Sequence, residues 1–332
     1  MHTPAEEDLT APIVPVPRAR WSRLRVVEAT AQSTDVMSFI LADPTGADLP
    51  PWTPGAHVDL FVAPGMVRQY SLCGDPADRA RWRIAVLRAE PGRGGSRHLH
   101  EQVRAGALVA VGEPRNNFPL AGAHRYLFIA GGIGITPLLP MIRTVAAQGA
   151  DWTLWYGGRR RERMAFLDEL VPYGGRVDVW PEDERGPLPL AEILQRLGSD
   201  ALLYCCGPEA LLTAVEREWG DRPAGRLHME RFQPRPVVGA PTRDQEFDVF
   251  LERSGRAVRV RAHESLLDVL SAAGVEVPWS CGEGTCGSCE TGVLAGDVDH
   301  RDSVLSRGER VAGRTMMVCV SRARSPWLTL DL

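Results

Sequence analysis

Four cysteines near the C-terminus constrain this chain more than any other feature. Cys281, Cys286 and Cys289 have the spacing C-x4-C-x2-C, and Cys319 follows further on. This spacing is typical of the plant-type ligand set of a [2Fe–2S] cluster. Three glycines lie between the first three cysteines, which lets the backbone wrap closely and direct N–H groups at sulfur. Because such a cluster carries one electron at a time, the sequence predicts electron transfer, with these four residues as metal ligands.

A zinc site and disulfide bonds are the alternative interpretations of the cysteines. Structural zinc sites usually combine two short pairs, whereas the first gap here is four residues, so zinc is disfavoured but stays open. Residues 1–9 lack the basic start and apolar core of a secretory signal, which argues against disulfides. The remaining cysteines, Cys73, Cys205 and Cys206, fit a reducing compartment. We therefore expect a cytoplasmic protein.

Length and charge exclude several functional classes. A chain of 332 residues corresponds to about two or three domains. The net charge of −4 gives no electrostatic reason to bind nucleic acid. The longest apolar stretch, residues 126–142, is interrupted by three glycines and two prolines, which makes it unsuitable as a membrane span. We expect a monomer that binds neither nucleic acid nor membrane.

The pattern of strands and helices divides the chain into three blocks after a tail. The first block has short strands with frequent Gly and Pro, which predicts an antiparallel β-barrel. The second alternates strands with helices, which indicates an α/β domain with a parallel sheet. The third opens with a hairpin signal at Ser254-Gly255 and continues with a helix. The predicted boundaries are a flexible tail at 1–18, the barrel at 19–122, a nucleotide-binding domain at 123–233, a proline-rich linker at 234–245 and the cluster domain at 246–332.

The second block contains two turns that can bind a nucleotide. The run Gly131-Gly132-Ile133-Gly134-Ile135-Thr136-Pro137 ends a strand and begins a helix, and we expect Thr136 to cap that helix with Pro137 at its first position. Its glycines let phosphate oxygens approach the backbone N–H groups at the helix start. A second turn, Cys206-Gly207-Pro208, follows a later strand, and two such turns form a ligand cleft. The usual third glycine is replaced by Pro137, so a structural turn is the alternative.

The first block contains a second set of candidate binding residues. Arg68-Gln69-Tyr70-Ser71-Leu72 is predicted to be a strand with alternating exposure, which offers an arginine to a phosphate and an aromatic ring with a hydroxyl to a flat heterocycle. The Gly-rich run Gly92-Arg93-Gly94-Gly95-Ser96 precedes a helical pattern and is a possible anion site. A barrel strand and a surface turn are the alternative interpretation.

Taken together, these motifs resemble the phthalate dioxygenase reductase family, flavoproteins that carry a C-terminal plant-type ferredoxin. The resemblance covers nearly the whole chain after the tail, and the motifs have the family's order. The segments that carry it are Pro54-Gly55-Ala56-His57, Arg68–Leu72, Gly94-Gly95-Ser96, Gly131–Pro137, Cys206-Gly207-Pro208, Glu230-Arg231-Phe232, the cysteine loop and Asp299-His300-Arg301-Asp302.

The resemblance implies a role for each matching residue. The third block would be a β-grasp ferredoxin domain. The flavin, typically FMN although FAD is possible, would contact Arg68, Gln69, Tyr70, Ser71 and Phe232, with its phosphate at Gly94, Gly95 and Ser96. The nicotinamide dinucleotide would contact Gly131, Gly132, Gly134, Thr136, Pro137, Cys206, Gly207 and Pro208. The residues implied to be catalytic are Ser71, Cys206 and Phe232.

The family's function would be electron relay from NADH through FMN and the [2Fe–2S] cluster to a separate Rieske-type oxygenase or demethylase. A flavin is needed because nicotinamide releases two electrons as hydride while the cluster accepts one. Arginines 159–161 leave NADPH open as the donor. We also expect Glu283 and Thr285, beside Cys286, to lie on the face that docks the partner. The alternatives are a cytochrome P450 or other haem acceptor, and an iron–sulfur redox sensor without turnover.

Overall fold

The computed structural model describes residues 21–63, 66–89, 92, 94–235 and 244–332. The predicted tail at 1–18 and most of the predicted linker at 234–245 lie outside these residues. In the described ranges, no helix has the length and apolar character that a membrane span requires.

The first block is an antiparallel barrel, as the sequence predicts. Its elements are β1 (Trp21–Ser33), β2 (Val36–Ala42), β3 (His57–Ala63), β4 (Met66–Ser71), β5 (Trp82–Leu87), α1 (Gly95–Gln102) and β6 (Leu108–Gly112). The strand order is β4-β3-β6-β1-β2-β5. A bridge between Leu72 and Ile84 joins the two outer strands and closes the barrel. Alternate side chains such as Leu24 and Val26 are buried inside it, as expected for strands with one face on a core.

The second block is a parallel sheet covered by helices, which confirms the predicted α/β architecture. The strand order is β11-β10-β7-β8-β9, and every neighbouring pair is parallel. The sheet therefore brings the turns after β7 and β10 to the same edge. The elements are β7 (Arg125–Gly131), α2 (Ile135–Ala147), β8 (Asp151–Gly158), α3 (Leu167–Leu170), β9 (Val177–Pro181), α4 (Glu182–Arg185), α5 (Leu190–Gln195), β10 (Ala201–Cys206), α6 (Glu209–Trp219) and β11 (Leu227–Glu230).

Glycines allow the two turns to pack directly on each other. A Cβ on Gly134 would lie 2.2 Å from the carbonyl oxygen of Cys206, and one on Gly131 would lie 2.7 Å from Cδ of Pro208. By contrast, Gly132 has φ of +52°, and a Cβ there would meet no described atom within 4 Å. Only Gly132 of these three therefore faces open space where a phosphate can approach, and the other two serve the packing of the turns.

The start of α2 differs from the prediction that Thr136 caps it. A short 3-10 turn, Gly132–Gly134, precedes the helix and Gly134 takes the N-cap position. Thr136 lies inside the first turn, where its hydroxyl donates to the carbonyl of Ile133 at 2.9 Å. Pro137 is the third helical residue rather than the first. The close packing of the turns requires glycine at the cap, which displaces the threonine from that role.

The third block contains the predicted hairpin and helix around a five-stranded sheet. The hairpin turns at Ser254-Gly255, and the helix is capped by Ser265, whose hydroxyl accepts a hydrogen bond from the N–H of Asp268. The main sheet has the order β13-β12-β18-β14-β16, with β15 and β17 paired separately. The elements are β12 (Phe247–Leu251), β13 (Arg256–Val260), α7 (Leu266–Ala272), β14 (Glu290–Ala295), β15 (Val298–Asp299), α8 (Arg307–Ala312), β16 (Thr315–Met317), β17 (Arg322–Ala323) and β18 (Trp327–Leu330).

Ionic contacts join the barrel to the nucleotide sheet. Arg83 of β5 pairs with Glu169 of α3 at 2.6 Å, and Arg143 of α2 pairs with the same carboxylate. The Arg83 guanidinium also lies over the ring of Phe166, 4.8 Å from its centroid. Arg143 reaches the barrel directly by donating to the carbonyls of Cys73 and Gly74. These partly buried contacts fix the barrel against α2 and α3 of the second block.

Replacing Gly134 with alanine tests the packing of the turns. The added methyl would overlap the Cys206 carbonyl, and overpacking of this kind costs about 1–3 kcal/mol. We expect Gly134→Ala to lower the melting temperature measurably. Gly225→Ala is the matched control, because a Cβ there would meet no described atom within 4 Å. Equal melting temperatures for the two variants would contradict this account.

Candidate functional site

One cleft lies where the three blocks meet. Its empty volume, including the part open to solvent, is about 930 Å³. All three blocks contribute side chains, so the cleft joins the predicted flavin, nucleotide and cluster sites. The residues that line it include His57, Arg68, Gln69, Tyr70, Ser71, Ile133, Thr136, Glu230, Arg231, Phe232, Cys281, Glu283 and Thr285.

Strand β4 forms the wall of the cleft on the barrel side. The side chains from Arg68 to Tyr70 are all half-buried, so the predicted alternation of exposure is wrong for this strand. Burial raises the pKa of the Tyr70 phenol, which keeps it neutral. The Ser71 hydroxyl is buried and, within the described residues, has no hydrogen-bond partner. A buried polar group without a partner is costly, so this wall fits a ligand with polar ring atoms, such as a flavin.

An anion site lies at one end of β4. Gly94, with φ of +88°, is the N-cap of α1 and provides no side-chain cap, and the N–H groups of a first helical turn have no partner within the helix. A Cβ on Gly95 would lie 3.5 Å from Cγ of Arg68, so the arginine lies beside this helix start. The Ser96 hydroxyl accepts a hydrogen bond from the N–H of Ala89 at 3.0 Å, which leaves its O–H able to donate. A helix N-terminus with an adjacent arginine fits a phosphate.

The nucleotide side of the cleft contains some of the predicted residues. Thr136 lines it, and so does Phe232, which is 42% exposed. Cys206 instead is fully buried in the core of the parallel sheet, and burial raises the pKa of its thiol. Pro208 is the N-cap of α6 and directly precedes its first residue, Glu209. Three residues were implied to be catalytic. Of these, Ser71 and Phe232 line the cleft, whereas Cys206 is buried in the core of the parallel sheet.

Glu230 is a site residue to which the sequence argument gave no role. It ends β11, where it pairs in register with Cys206, and it lines the cleft. Its Oε2 is buried and lacks a hydrogen-bond partner in the part of the chain that the structure describes. Burial raises its pKa to about 8, so the carboxyl is largely protonated at neutral pH. The only sequence signal was the segment Glu230-Arg231-Phe232, which carried the family resemblance without revealing this environment.

The four cysteines form one connected group in the third block, and Cys281 lines the cleft. Hydrogen bonds from the thiols of Cys286 and Cys319 lower the pKa of Cys281, and a hydrogen bond from Cys319 lowers that of Cys289. The backbone N–H groups of Glu283 and Thr285 point at the Cys281 sulfur at 3.3 and 3.4 Å. In the described residues, no three His, Cys, Asp or Glu side chains are placed to hold a single metal ion. Four neighbouring thiols with N–H donors fit a [2Fe–2S] cluster.

The cluster loop contacts the barrel. Glu283 and Thr285 line the same cleft as Arg68 and Tyr70, and both side chains are partly exposed. That these two loop residues form the docking face for a partner stays a prediction. The contact of the loop with the barrel is one that spacing along the sequence does not reveal.

Two family models match the chain. Residues 249–324 match a 2Fe-2S iron-sulfur cluster binding domain, and residues 128–217 match an oxidoreductase NAD-binding domain. The first match covers Cys281, Cys286, Cys289 and Cys319, and it resolves the zinc alternative in favour of the iron–sulfur cluster.

Curated relatives match over nearly the whole chain. Phenoxybenzoate dioxygenase subunit beta of Ectopseudomonas oleovorans is 46% identical over 93% of this chain and 97% of that protein. Phthalate dioxygenase reductase of Burkholderia cepacia is 41% identical over 93% of this chain and 97% of that protein.

Solved structures match as well. The structure of phthalate dioxygenase reductase has a TM-score of 0.68 at 39% identity, covering 94% of this chain and 98% of that one. An intact type IV self-sufficient cytochrome P450 monooxygenase gives a TM-score of 0.88 at 42% identity over 94% of this chain. The chain spans only 41% of the length of that P450 protein.

The raised pKa of Glu230 predicts a specific pH dependence. A free glutamate has a pKa of 4.5 and the folded value is about 8, so the folded state retains a proton that the unfolded state releases between these values. Stability from this group is therefore complete below pH 4.5 and is lost as pH rises toward 8, by at most about 1.4 kcal/mol per pH unit.

Replacing Glu230 with glutamine should remove that loss. Between pH 5 and pH 8.5, the melting temperature of Glu230→Gln relative to that of the unmodified protein should increase as the pH rises. The exposed Glu252 provides the control, and Glu252→Gln should change the profile little. A pH profile of Glu230→Gln that runs parallel to that of the unmodified protein would contradict the assigned environment.

Proposed function

The chain belongs to the phthalate dioxygenase reductase family, and from that membership and the cleft we propose that it relays electrons from NADH through FMN and a [2Fe–2S] cluster to a separate oxygenase. It is an oxidoreductase with an NAD-binding domain and an iron–sulfur domain. The observation that carries the proposal is the single cleft, since it is lined by β4, by Thr136 and by Cys281. The proposed nicotinamide, flavin and cluster sites therefore share one cleft.

The residues of the cleft have distinct tasks in this proposal. When bound, the flavin accepts hydride and releases electrons singly, and the cluster carries them one at a time. Arg68 and the N-terminus of α1 would hold the flavin phosphate, and Tyr70 with the unpartnered Ser71 hydroxyl would orient the ring. Phe232 would exclude water from the ring face. Glu230, kept neutral by burial, would add no charge where the nicotinamide binds.

The two turns of the parallel sheet would orient the dinucleotide. Gly132, with open space around it, would admit the pyrophosphate to the N–H groups at the start of α2. The close packing of the two turns would depend on Gly131, Gly134 and Gly207. Pro208 would serve as the N-cap of α6. Cys206 would act as a core residue beneath the nicotinamide rather than as a nucleophile, because burial raises its pKa.

We propose NADH rather than NADPH as the donor. Arg161, one of the arginines able to meet a 2′-phosphate, is held by Glu184 through two hydrogen bonds of 3.0 and 2.8 Å. Arg160 lies 3.8 Å from Glu162. These carboxylates compete with a 2′-phosphate for the guanidinium groups. This competition supports NADH, which lacks that phosphate, as the donor.

Neutralising Glu184 tests this donor preference. We expect Glu184→Gln to raise kcat/KM for NADPH relative to NADH, because Arg161 is then available to the 2′-phosphate; a gain of about tenfold corresponds to about 1.4 kcal/mol. Glu182→Gln, on the same short helix, is the matched control. A native enzyme that prefers NADPH would overturn the proposal of NADH, and an unchanged ratio in Glu184→Gln would overturn the role of Glu184.

The relay itself can be tested on the purified protein. It should contain flavin and iron, and NADH should bleach both chromophores. Cys319→Ser should lose the cluster spectrum and electron transfer to cytochrome c while retaining bound flavin and NADH-dependent ferricyanide reduction. Native protein that contains neither flavin nor iron would contradict the proposal, and so would cytochrome c reduction that persists in full without the cluster.

A partner oxygenase is supported by the relatives, two of which are named as dioxygenase components. A haem acceptor is the second candidate, because the three blocks superpose better on the P450 protein than on phthalate dioxygenase reductase, with TM-scores of 0.88 and 0.68. Turnover reconstituted with each class of acceptor distinguishes the two. A redox sensor without turnover has less support, since the cleft combines the sites of a complete relay.

The remaining assignments are also proposals. We infer domains at 19–122, 123–233 and 246–332 with a linker at 234–245; the described strands lie within these limits. We infer a monomer located in the cytoplasm, and the unpaired thiols of Cys73, Cys205 and Cys206 support the reducing compartment. Size-exclusion chromatography with light scattering tests the monomer.

A further inference from the structure

Two side chains of the barrel hold the cluster loop. The amide of Asn117 donates to the carbonyl oxygen of Cys286 at 2.9 Å. The amide of Gln69 donates to the hydroxyl of Ser280, which precedes Cys281, at 3.1 Å. Both contacts cross between the first and third blocks of the chain. They lie on either side of the loop and next to the sulfur ligands Cys281 and Cys286.

A buried ion pair fixes the orientation of Gln69. Asp59 is fully buried in β3 and accepts hydrogen bonds from Arg115 at 2.6 and 2.9 Å. The Gln69 amide donates to the same carboxylate at 2.6 Å. Although burial opposes ionisation, the hydrogen bonds from Arg115 and Gln69 hold the pKa of Asp59 below its usual value. The carboxylate thus stays charged and keeps the Gln69 amide directed at Ser280.

The loop is shaped to fit Asn117. A Cβ on Gly287 would lie 2.4 Å from Nδ2 of Asn117, and Gly287 has φ of +73°. Any other residue would therefore be strained and would also displace the amide. The segment that carries Asn117 is itself fixed, because Arg115 and His57 exchange backbone hydrogen bonds of 2.8 and 2.9 Å. Loop and barrel are complementary in both hydrogen bonding and shape.

We propose that Asp59, Gln69, Arg115 and Asn117 form a seat that holds the cluster loop at the flavin end of the cleft. Gln69 and Asn117 are its positioning residues, and Gln69 thereby has a different role from the flavin contact expected from the sequence. The inference rests on the proposed function, since it concerns the step in which one electron leaves the reduced flavin and enters the oxidised cluster. Electron transfer depends on the separation of the two centres, so the seat sets the rate of that step.

The test compares Gln69→Ala and Asn117→Ala with the exposed control Gln102→Ala at the end of α1. In stopped-flow mixing of the intact protein with NADH, flavin reduction should stay within about twofold of the native rate in Asn117→Ala, and in Gln69→Ala it serves as the reference against which cluster reduction is compared. Subsequent cluster reduction should slow severalfold in both variants, because a displaced loop lengthens the path between the flavin and the cluster. Amide hydrogen exchange in residues 280–289, measured without NADH, should be faster in both variants and unchanged in the control.

A double-mutant cycle tests the Gln69–Ser280 contact. If the contact acts as proposed, Ser280→Ala added to Gln69→Ala should slow cluster reduction no further. The seat is overturned if cluster reduction and loop exchange are native in both variants. It is also overturned if the variants slow flavin and cluster reduction equally, since that result indicates general destabilisation. Failure of NADH to reduce the native flavin would instead overturn the proposed function, while the exchange measurement still tests the seat.

Discussion

The contact of the cluster loop with the barrel is the interaction on which the rest of the structure depends. A relay of this kind needs its centres to be close, yet the cluster ligands are more than two hundred residues from the flavin strand in the chain. The hydrogen bonds from Asn117 to Cys286 and from Gln69 to Ser280 connect these distant segments. The parallel sheet lies at the same cleft through the edge that carries its two nucleotide turns. These turns pack on each other through glycine. The result is a single cleft that joins the proposed flavin, nucleotide and cluster sites.

Three titratable side chains that line the cleft are also neutral at pH 7. Burial lowers the pKa of His57 to about 4 and raises that of Glu230 to about 8, so both side chains are neutral at pH 7. Tyr70 is neutral for the same reason. Arg68 lies toward the start of α1, where a phosphate would bind. Arg231 also lines the cleft, and its guanidinium is paired with the carboxylates of Glu209 and Glu216. The neutral side chains of His57, Tyr70 and Glu230 therefore offer no charged group for acid–base catalysis beside the proposed ring site.

Much of this arrangement could be predicted from the sequence. Periodicity and turn residues predicted the barrel, the parallel sheet and the hairpin at Ser254-Gly255, since these depend on local patterns. The cysteine spacing predicted the cluster for the same reason. The errors occurred where a distant segment decides the outcome. Thr136 could not cap α2 because the turn after β10 packs on Gly134, which takes the cap position. The contact of the cluster loop with the barrel could not be predicted from the cysteine spacing. The environment of Glu230 depends entirely on its burial between blocks.

The central claim is that the cleft couples the nicotinamide donor to the cluster within one chain. Electron paramagnetic resonance of the anaerobic protein, frozen after addition of NADH and without any partner, tests it most directly. The account predicts the signal of a reduced [2Fe–2S] cluster at close to one spin per chain, together with bleaching of the flavin absorbance. Bleached flavin without a cluster signal would contradict it.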